Sequence, residues 1–157
     1  MPRPATSTRD LDVVRTSAPD PQPPAAVDHR PAGPGLVACF APSDHRVGHM
    51  RRITASHLRH HGCAALIDDA VLVVSELVTN AIRHGRGEVG LKVTVLTGEL
   101  LIEVGDRSTA PARLRTAGDD DDDGRGLLLV TALARTWGVS DDGTTTWCTL
   151  ALPERRP

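Results

Sequence analysis

Glu76 and Asn80 stand four residues apart in the stretch Asp68-Asp69-Ala70-Val71-Leu72-Val73-Val74-Ser75-Glu76-Leu77-Val78-Thr79-Asn80-Ala81-Ile82-Arg83-His84. At about 100° per residue this segment reads as an amphipathic helix. Val71, Val74, Leu77, Val78, Ala81 and Ile82 gather on a broad apolar arc, and Asp69, Glu76, Asn80 and Arg83 share a narrow polar sector. Residues at i and i+4 are neighbours one turn apart. A carboxylate and a carboxamide so placed can hold a metal ion and a water. On this segment alone, a solvated helix face is the competing explanation.

Such a helix needs partners to position it. Leu36 to Phe40 is a short apolar run after Gly-Pro-Gly and predicts a first strand. Ser43 is the expected N-cap of a helix running to about His61 and stopping at Gly62, with Val47, Met50, Ile53, Ala55 and Leu58 inside. After the Glu76 helix, Val89 to Leu96 alternates as a half-buried strand, Thr97-Gly98-Glu99 is a turn, and Leu100 to Val104 returns to deliver Gly105-Asp106. A loop from Ser108 to Gly118 and five aspartates, Asp119 to Asp123, lead to Gly124-Arg125-Gly126. That box opens a third helix, expected to run from Leu127 to about Trp137. A final hairpin turns at Asp141-Asp142-Gly143 and ends in the strand Thr145 to Leu152. Strands clustered as hairpins beside three helices predict an α/β fold: a two-layer sandwich whose mixed, mostly antiparallel sheet is covered by helices on one face.

Composition narrows the function. With 157 residues the chain fits one domain, expected over residues 35–153. Residues 1–34 are rich in Pro and Ala without periodicity and predict a disordered arm, and 154–157 a short tail. Phe40, Trp137 and Trp147 are the only aromatic residues, which argues against base stacking on single strands. A net charge of −2 gives no basic field for nucleic acid or an anionic membrane. Cys39, Cys63 and Cys148 are widely spaced and form no disulfide framework. No apolar run has the length of a membrane span and no signal-peptide core opens the chain, so a cytoplasmic location is expected.

Several motifs match by letter and fail by context. Gly85-Arg86-Gly87-Glu88-Val89-Gly90 fits Gly-x-Gly-x-x-Gly but follows a helix and precedes a strand, the reverse of a dinucleotide turn. Asp119 to Gly124 begins like a calcium loop, yet Val130 stands where a bidentate Glu is needed. His45, His49, His57, His60 and His61 crowd the first helix without a His-Glu-x-x-His pattern, and solvated histidines outweigh a metal site there.

One constellation holds together. Ser75 to His84, Asp106-Arg107-Ser108, Gly124-Arg125-Gly126-Leu127 and Trp147-Cys148-Thr149-Leu150, taken in order, resemble the Bergerat ATP-binding domain shared by gyrase, sensor histidine kinases and bacterial anti-sigma-factor serine kinases. The pieces look most like the stand-alone anti-sigma-factor kinases of actinobacterial type, over roughly Leu36 to Pro153. The resemblance implies ATP and Mg²⁺ as cofactors. It implies that Asn80 coordinates Mg²⁺ through its amide oxygen and that Glu76 orients or deprotonates the nucleophile. Asp106 would accept from the adenine amino group. Gly124 and Gly126 would let the backbone approach the phosphates, with Arg125 and Leu127 beside them at a helix N-terminus. Thr146, or its neighbour Thr145, would support the adenine pocket. Arg83 and His84 lie toward the phosphate end; a cation pair completing the helix C-terminus explains them equally well.

Two positions depart from the family pattern. Ser108 stands where the family places a glycine two residues after the adenine-binding aspartate, and the loop over the phosphates ends in the aspartate run. The expected function is a Mg-ATP-dependent serine/threonine kinase acting on a small antagonist protein, with a sigma factor as a further partner and a homodimer as one assembly such kinases adopt. A non-catalytic module that sequesters a regulatory partner is the alternative. Neither direct nucleic-acid nor membrane binding is expected.

Overall fold

The computed structural model describes residues 31, 33–106 and 122–154, and for residues 122–125 the backbone alone. The N-terminal arm up to residue 30, Ser108, the loop before the aspartate run and Asp119 to Asp121 lie outside the described residues. Five strands and three helices follow in the order β1 (Leu36–Phe40), α1 (His45–His60), α2 (Ile67–His84), β2 (Val89–Val95), β3 (Glu99–Asp106), α3 (Asp122–Leu133), β4 (Thr136–Val139) and β5 (Thr145–Ala151), with a 3₁₀ turn at Ala64–Leu66 before α2.

The strands form one sheet in the order β1-β2-β3-β5-β4, antiparallel at all four pairings. The last strand in the chain therefore lies between β3 and β4. Directly opposed residues share a face, so Phe40, Val89 and Asp106 line up on one side, as do Ala38, Leu91, Val104 and Thr146. This face carries the core. Leu91, Val93, Leu100, Ile102, Val104, Cys148 and Leu150 pack there with Met50 and Leu58 of α1, Ala70, Val73, Val74, Leu77 and Val78 of α2, and Val130 of α3. The result is the expected two-layer sandwich, with the helices on one face. Because aromatics are scarce, aliphatic area supplies most of the burial.

Local signals explain the boundaries. Gly62 ends α1 with φ +72°; its N–H reaches Arg59 O (3.3 Å) and the Cys63 N–H reaches Leu58 O (2.8 Å), the paired bonds of a Schellman stop. The residue capping the start of α1 is Asp44, not Ser43; neither oxygen of Asp44 caps the helix, and the Ser43 hydroxyl instead bonds His45 Nδ1 at 2.7 Å. Gly98, at φ +82°, turns β2 into β3, closed by Leu96 N–H to Glu99 O at 2.8 Å. The ladder then continues as far as Asp106, two residues beyond the expected strand end.

The third helix differs most from expectation. It starts at Asp122 and ends at Leu133, so Gly124 and Gly126 lie inside it and Trp137 lies in β4. Asp is a favoured residue type in a helix's first turn. At the other end the Arg135 N–H is captured by Thr149 O (2.7 Å), and the hydroxyls of Thr136 and Thr149 bond at 2.8 Å, which draws the chain into the sheet. Among the described residues no helix is long and apolar enough to cross a membrane. The rings of His57, His60 and His61 lie close together, with centroids 4.5 and 5.2 Å apart. Burial first, then the charges of His61 and His60, hold His57 below the ordinary imidazole value. No group of three potential ligands among the described residues is placed to hold a metal.

Candidate functional site

The site is built along one edge of α2. The apolar arc of this helix buries Ala70, Val73, Val74, Leu77 and Val78, which fixes its rotation against the sheet. Glu76 and Asn80 then fall at the margin of the buried arc, both half-buried. That is a useful position for chemistry, because the side chains are held by packing yet remain accessible. The exposed Arg83 and His84 occupy the last turn, where cations complement the negative end of the helix dipole.

α3 lies against this margin. Gly126 is buried, and a side chain built on it would run into the carboxylate of Glu76, whose Cδ and Cβ lie 3.3 and 3.7 Å from the added carbon. The space of the absent side chain on one helix is thus filled by the Glu76 carboxylate of the other. Leu127 is half-buried beside it, whereas Leu128 is 68% exposed.

At the far end of α2 the chain meets the sheet. Asp106, the last residue of β3, is half-buried, in register with Val89, and donates its backbone N–H to Thr144 O at 3.0 Å. Its side chain abuts Gly85, the residue that terminates α2. Between Glu76 and Gly85 the helix advances nine residues, about 13 Å along its axis, with Asn80 roughly 6 Å from Glu76. Along the axis of α2, Asn80 therefore lies between Glu76 and the end that Asp106 meets.

The threonine pair is divided by the pleat. Thr146 opposes Val104 and shares the helix-covered face with Asp106, while Thr145 opposes Gly105 on the other face. Thr145 lines a shallow groove there of about 210 Å³, with Val37, Cys39, Gly90, Lys92 and Glu103. The turn before β5 is closed by Asp142, whose Oδ1 accepts from the Ser140 hydroxyl (2.6 Å) and from the hydroxyl and N–H of Thr144 (2.8 and 3.0 Å). These bonds hold the Asp142 carboxyl down to about 2.

The donor set fits a nucleotide accompanied by a hard cation. The carboxylate and amide oxygens of Glu76 and Asn80 are the ligand type that suits Mg²⁺. Asp106 sits separately at the strand end, where it can select a hydrogen-bond donor. Of the residues expected from sequence, Glu76, Asn80, Asp106, Gly126 and Thr146 come to the helix side of the sheet. Thr145 does not. Ser108 and the Arg125 side chain lie outside the described residues. Gly85 escaped sequence reasoning. It belonged to a glycine pattern that fails as a phosphate loop, and nothing local shows what faces it across the fold.

Residues 40–150 match the model of a protein family described as the histidine kinase-like ATPase domain. No curated protein matches the chain.

Proposed function

The chain belongs to the histidine kinase-like ATPase domain family, and on that premise we propose that it is a Mg-ATP-dependent serine/threonine protein kinase of the anti-sigma-factor type. Its acceptor would be a hydroxyl on a small antagonist protein, with a sigma factor as a further partner. The observation that carries this reading is the packing of Gly126 against Glu76, which fixes a carboxylate one turn from Asn80 at the half-buried edge of α2.

In this reading Asp106 accepts a hydrogen bond from the adenine amino group, and Thr146 supports the same pocket from the neighbouring strand. Asn80 holds Mg²⁺ through its amide oxygen, and Mg²⁺ when bound offsets the negative charge of the phosphate oxygens. Gly124 and Gly126 bring the backbone of α3 toward the phosphates. Glu76 orients the acceptor hydroxyl and takes its proton as the oxygen–phosphorus bond forms and the bond from the γ-phosphorus to the bridging oxygen breaks, leaving ADP. Phosphoryl transfer asks chiefly for positioning and charge neutralisation, so one carboxylate beside the ion suffices.

The test is calorimetric titration with ATP, with and without Mg²⁺, followed by a transfer assay. Asn80→Ala should lose Mg²⁺-dependent binding. Glu76→Ala should keep nucleotide binding and lose transfer by about 10²-fold or more. Undiminished transfer by Glu76→Ala would remove the assigned role.

A further inference from the structure

Gly85 and Asp106 reach each other from different elements, one closing α2 and the other closing β3. Glycine is not required at position 85 by its backbone: φ is −79° and ψ 171°, an extended conformation open to any residue. What the position requires is space. A methyl group there would overlap the Ala81 carbonyl oxygen and the Asp106 carboxylate, and would lie 2.9 Å from Asp106 Cβ.

The neighbours differ in their freedom to yield. The Ala81 carbonyl is part of the last turn of α2 and accepts the Gly85 N–H at 2.9 Å. The Asp106 backbone is held by its pairing with Val89 and by its bond to Thr144 O. Of the three nearest atoms, the Asp106 carboxylate oxygen alone belongs to a group that a rotation about χ1 would move. Any side chain at position 85 therefore displaces the carboxylate, either directly or by lifting the end of α2.

We propose that Gly85 is a positioning residue that sets the base selectivity of the nucleotide site by fixing where the Asp106 carboxylate lies, resting on the assignment of Asp106 to the adenine amine. Adenine presents an amino donor where guanine presents a carbonyl oxygen. A carboxylate accepts from the first and repels the second, but only from the right place. Gly85 contributes no polar group to the ligand; it contributes the vacancy into which Asp106 fits.

The experiment compares the intact chain with Gly85→Ala, Asp106→Ala and the double variant. Affinity is measured for Mg-ATP, Mg-GTP and Mg-tripolyphosphate, which has no base, with melting temperature followed alongside. Arg86→Ala, an exposed neighbour, is the control. In Gly85→Ala the ATP affinity should fall on the order of tenfold, the worth of one charge-assisted hydrogen bond. The preference for ATP over GTP should collapse with it, and tripolyphosphate binding should stay within about twofold. In the Asp106→Ala background the Gly85 substitution should have no further effect on selectivity. If Gly85→Ala folds poorly, Asp106→Glu, which pushes the carboxylate out of that vacancy with Gly85 intact, should collapse the ATP-to-GTP preference, and an unchanged ratio there would overturn the proposal. An unchanged ATP-to-GTP ratio in Gly85→Ala would overturn the proposal while leaving the nucleotide site in place. Loss of ATP and tripolyphosphate together would also overturn it, by showing a role in the fold at large. Failure of the intact chain to bind ATP would instead defeat the functional assignment, and this proposal with it.

Discussion

The side chain that Gly126 lacks is replaced in space by the carboxylate of Glu76, so that α3 rests directly on that residue of α2. Helix-interior glycine normally costs about 1 kcal/mol relative to alanine, and here that cost accompanies a close approach between a backbone and the Glu76 carboxylate. Gly126→Ala should consequently separate stability from activity. The atoms in its way are mainly the far end of a flexible Glu side chain, and alanine favours the helix, so unfolding free energy should stay within about 1 kcal/mol of the parent. Phosphoryl transfer should fall by about 10²-fold, because the carboxylate moves by the order of an ångström. Denaturant titration beside a transfer assay checks both halves; a large stability loss with undiminished transfer would contradict the relationship.

Thr145 and Thr146 are chemically identical and adjacent, yet they lie on opposite faces of the sheet. Thr146→Val should weaken adenine-nucleotide binding several-fold, the effect of losing one neutral hydrogen bond of about 1 kcal/mol. Thr145→Val should leave it unchanged. Equal effects from both substitutions, measured by calorimetry, would argue that the pocket does not lie on the helix-covered face.

Asp142 makes the turn before β5 sensitive to acid. Hydrogen bonds from the Ser140 hydroxyl and from Thr144 lower its carboxyl from 3.8 to about 2. A depressed folded-state value means that its contribution is fully present above about pH 4, shrinks as pH falls below that, and is gone below about 2. Thr144 also accepts the Asp106 N–H, so protonation of Asp142 should loosen the end of β3. The amide resonances of Thr144 and Asp106 should shift together over this acid range, and Asp142→Ala should abolish the coupled shift.

The three cysteines should differ in reactivity. Cys148 is buried in the core, and burial pushes its thiol up to about 12, whereas Cys39 is exposed on β1. Since the thiolate is the reactive form, an aromatic disulfide reagent at neutral pH should label Cys39 in the native protein and reach Cys148 only as the fold opens. Labelling of Cys148 at the rate of Cys39 would mean that the core is not closed.

The sequence by itself determined what is local. Periodicity placed the Glu76 helix from Asp68 to an end around Gly85 to Gly87, against an observed Ile67–His84, and found Val74, Leu77 and Val78 of the surface that packs. The buried arc is turned toward Ala70 and Val73, and Val71, Ala81 and Ile82 are half-buried. Alternation found β2, and a glycine in the left-handed region marked its turn. The types and order of Glu76, Asn80, Asp106 and the Gly-Arg-Gly box sufficed to point to the family that the match over residues 40–150 shows. Tertiary structure decided the rest. That β5 inserts between β3 and β4 puts Thr146, and not Thr145, on the helix-covered face, since each strand's face is set by register with partners distant in the chain. Trp137 leaves the expected helix because Thr149, across the sheet, competes for the adjoining backbone. Gly85 and Gly126 look like ordinary glycines in the sequence; their meaning lies in Asp106 and Glu76, which only folding brings into the space they leave open.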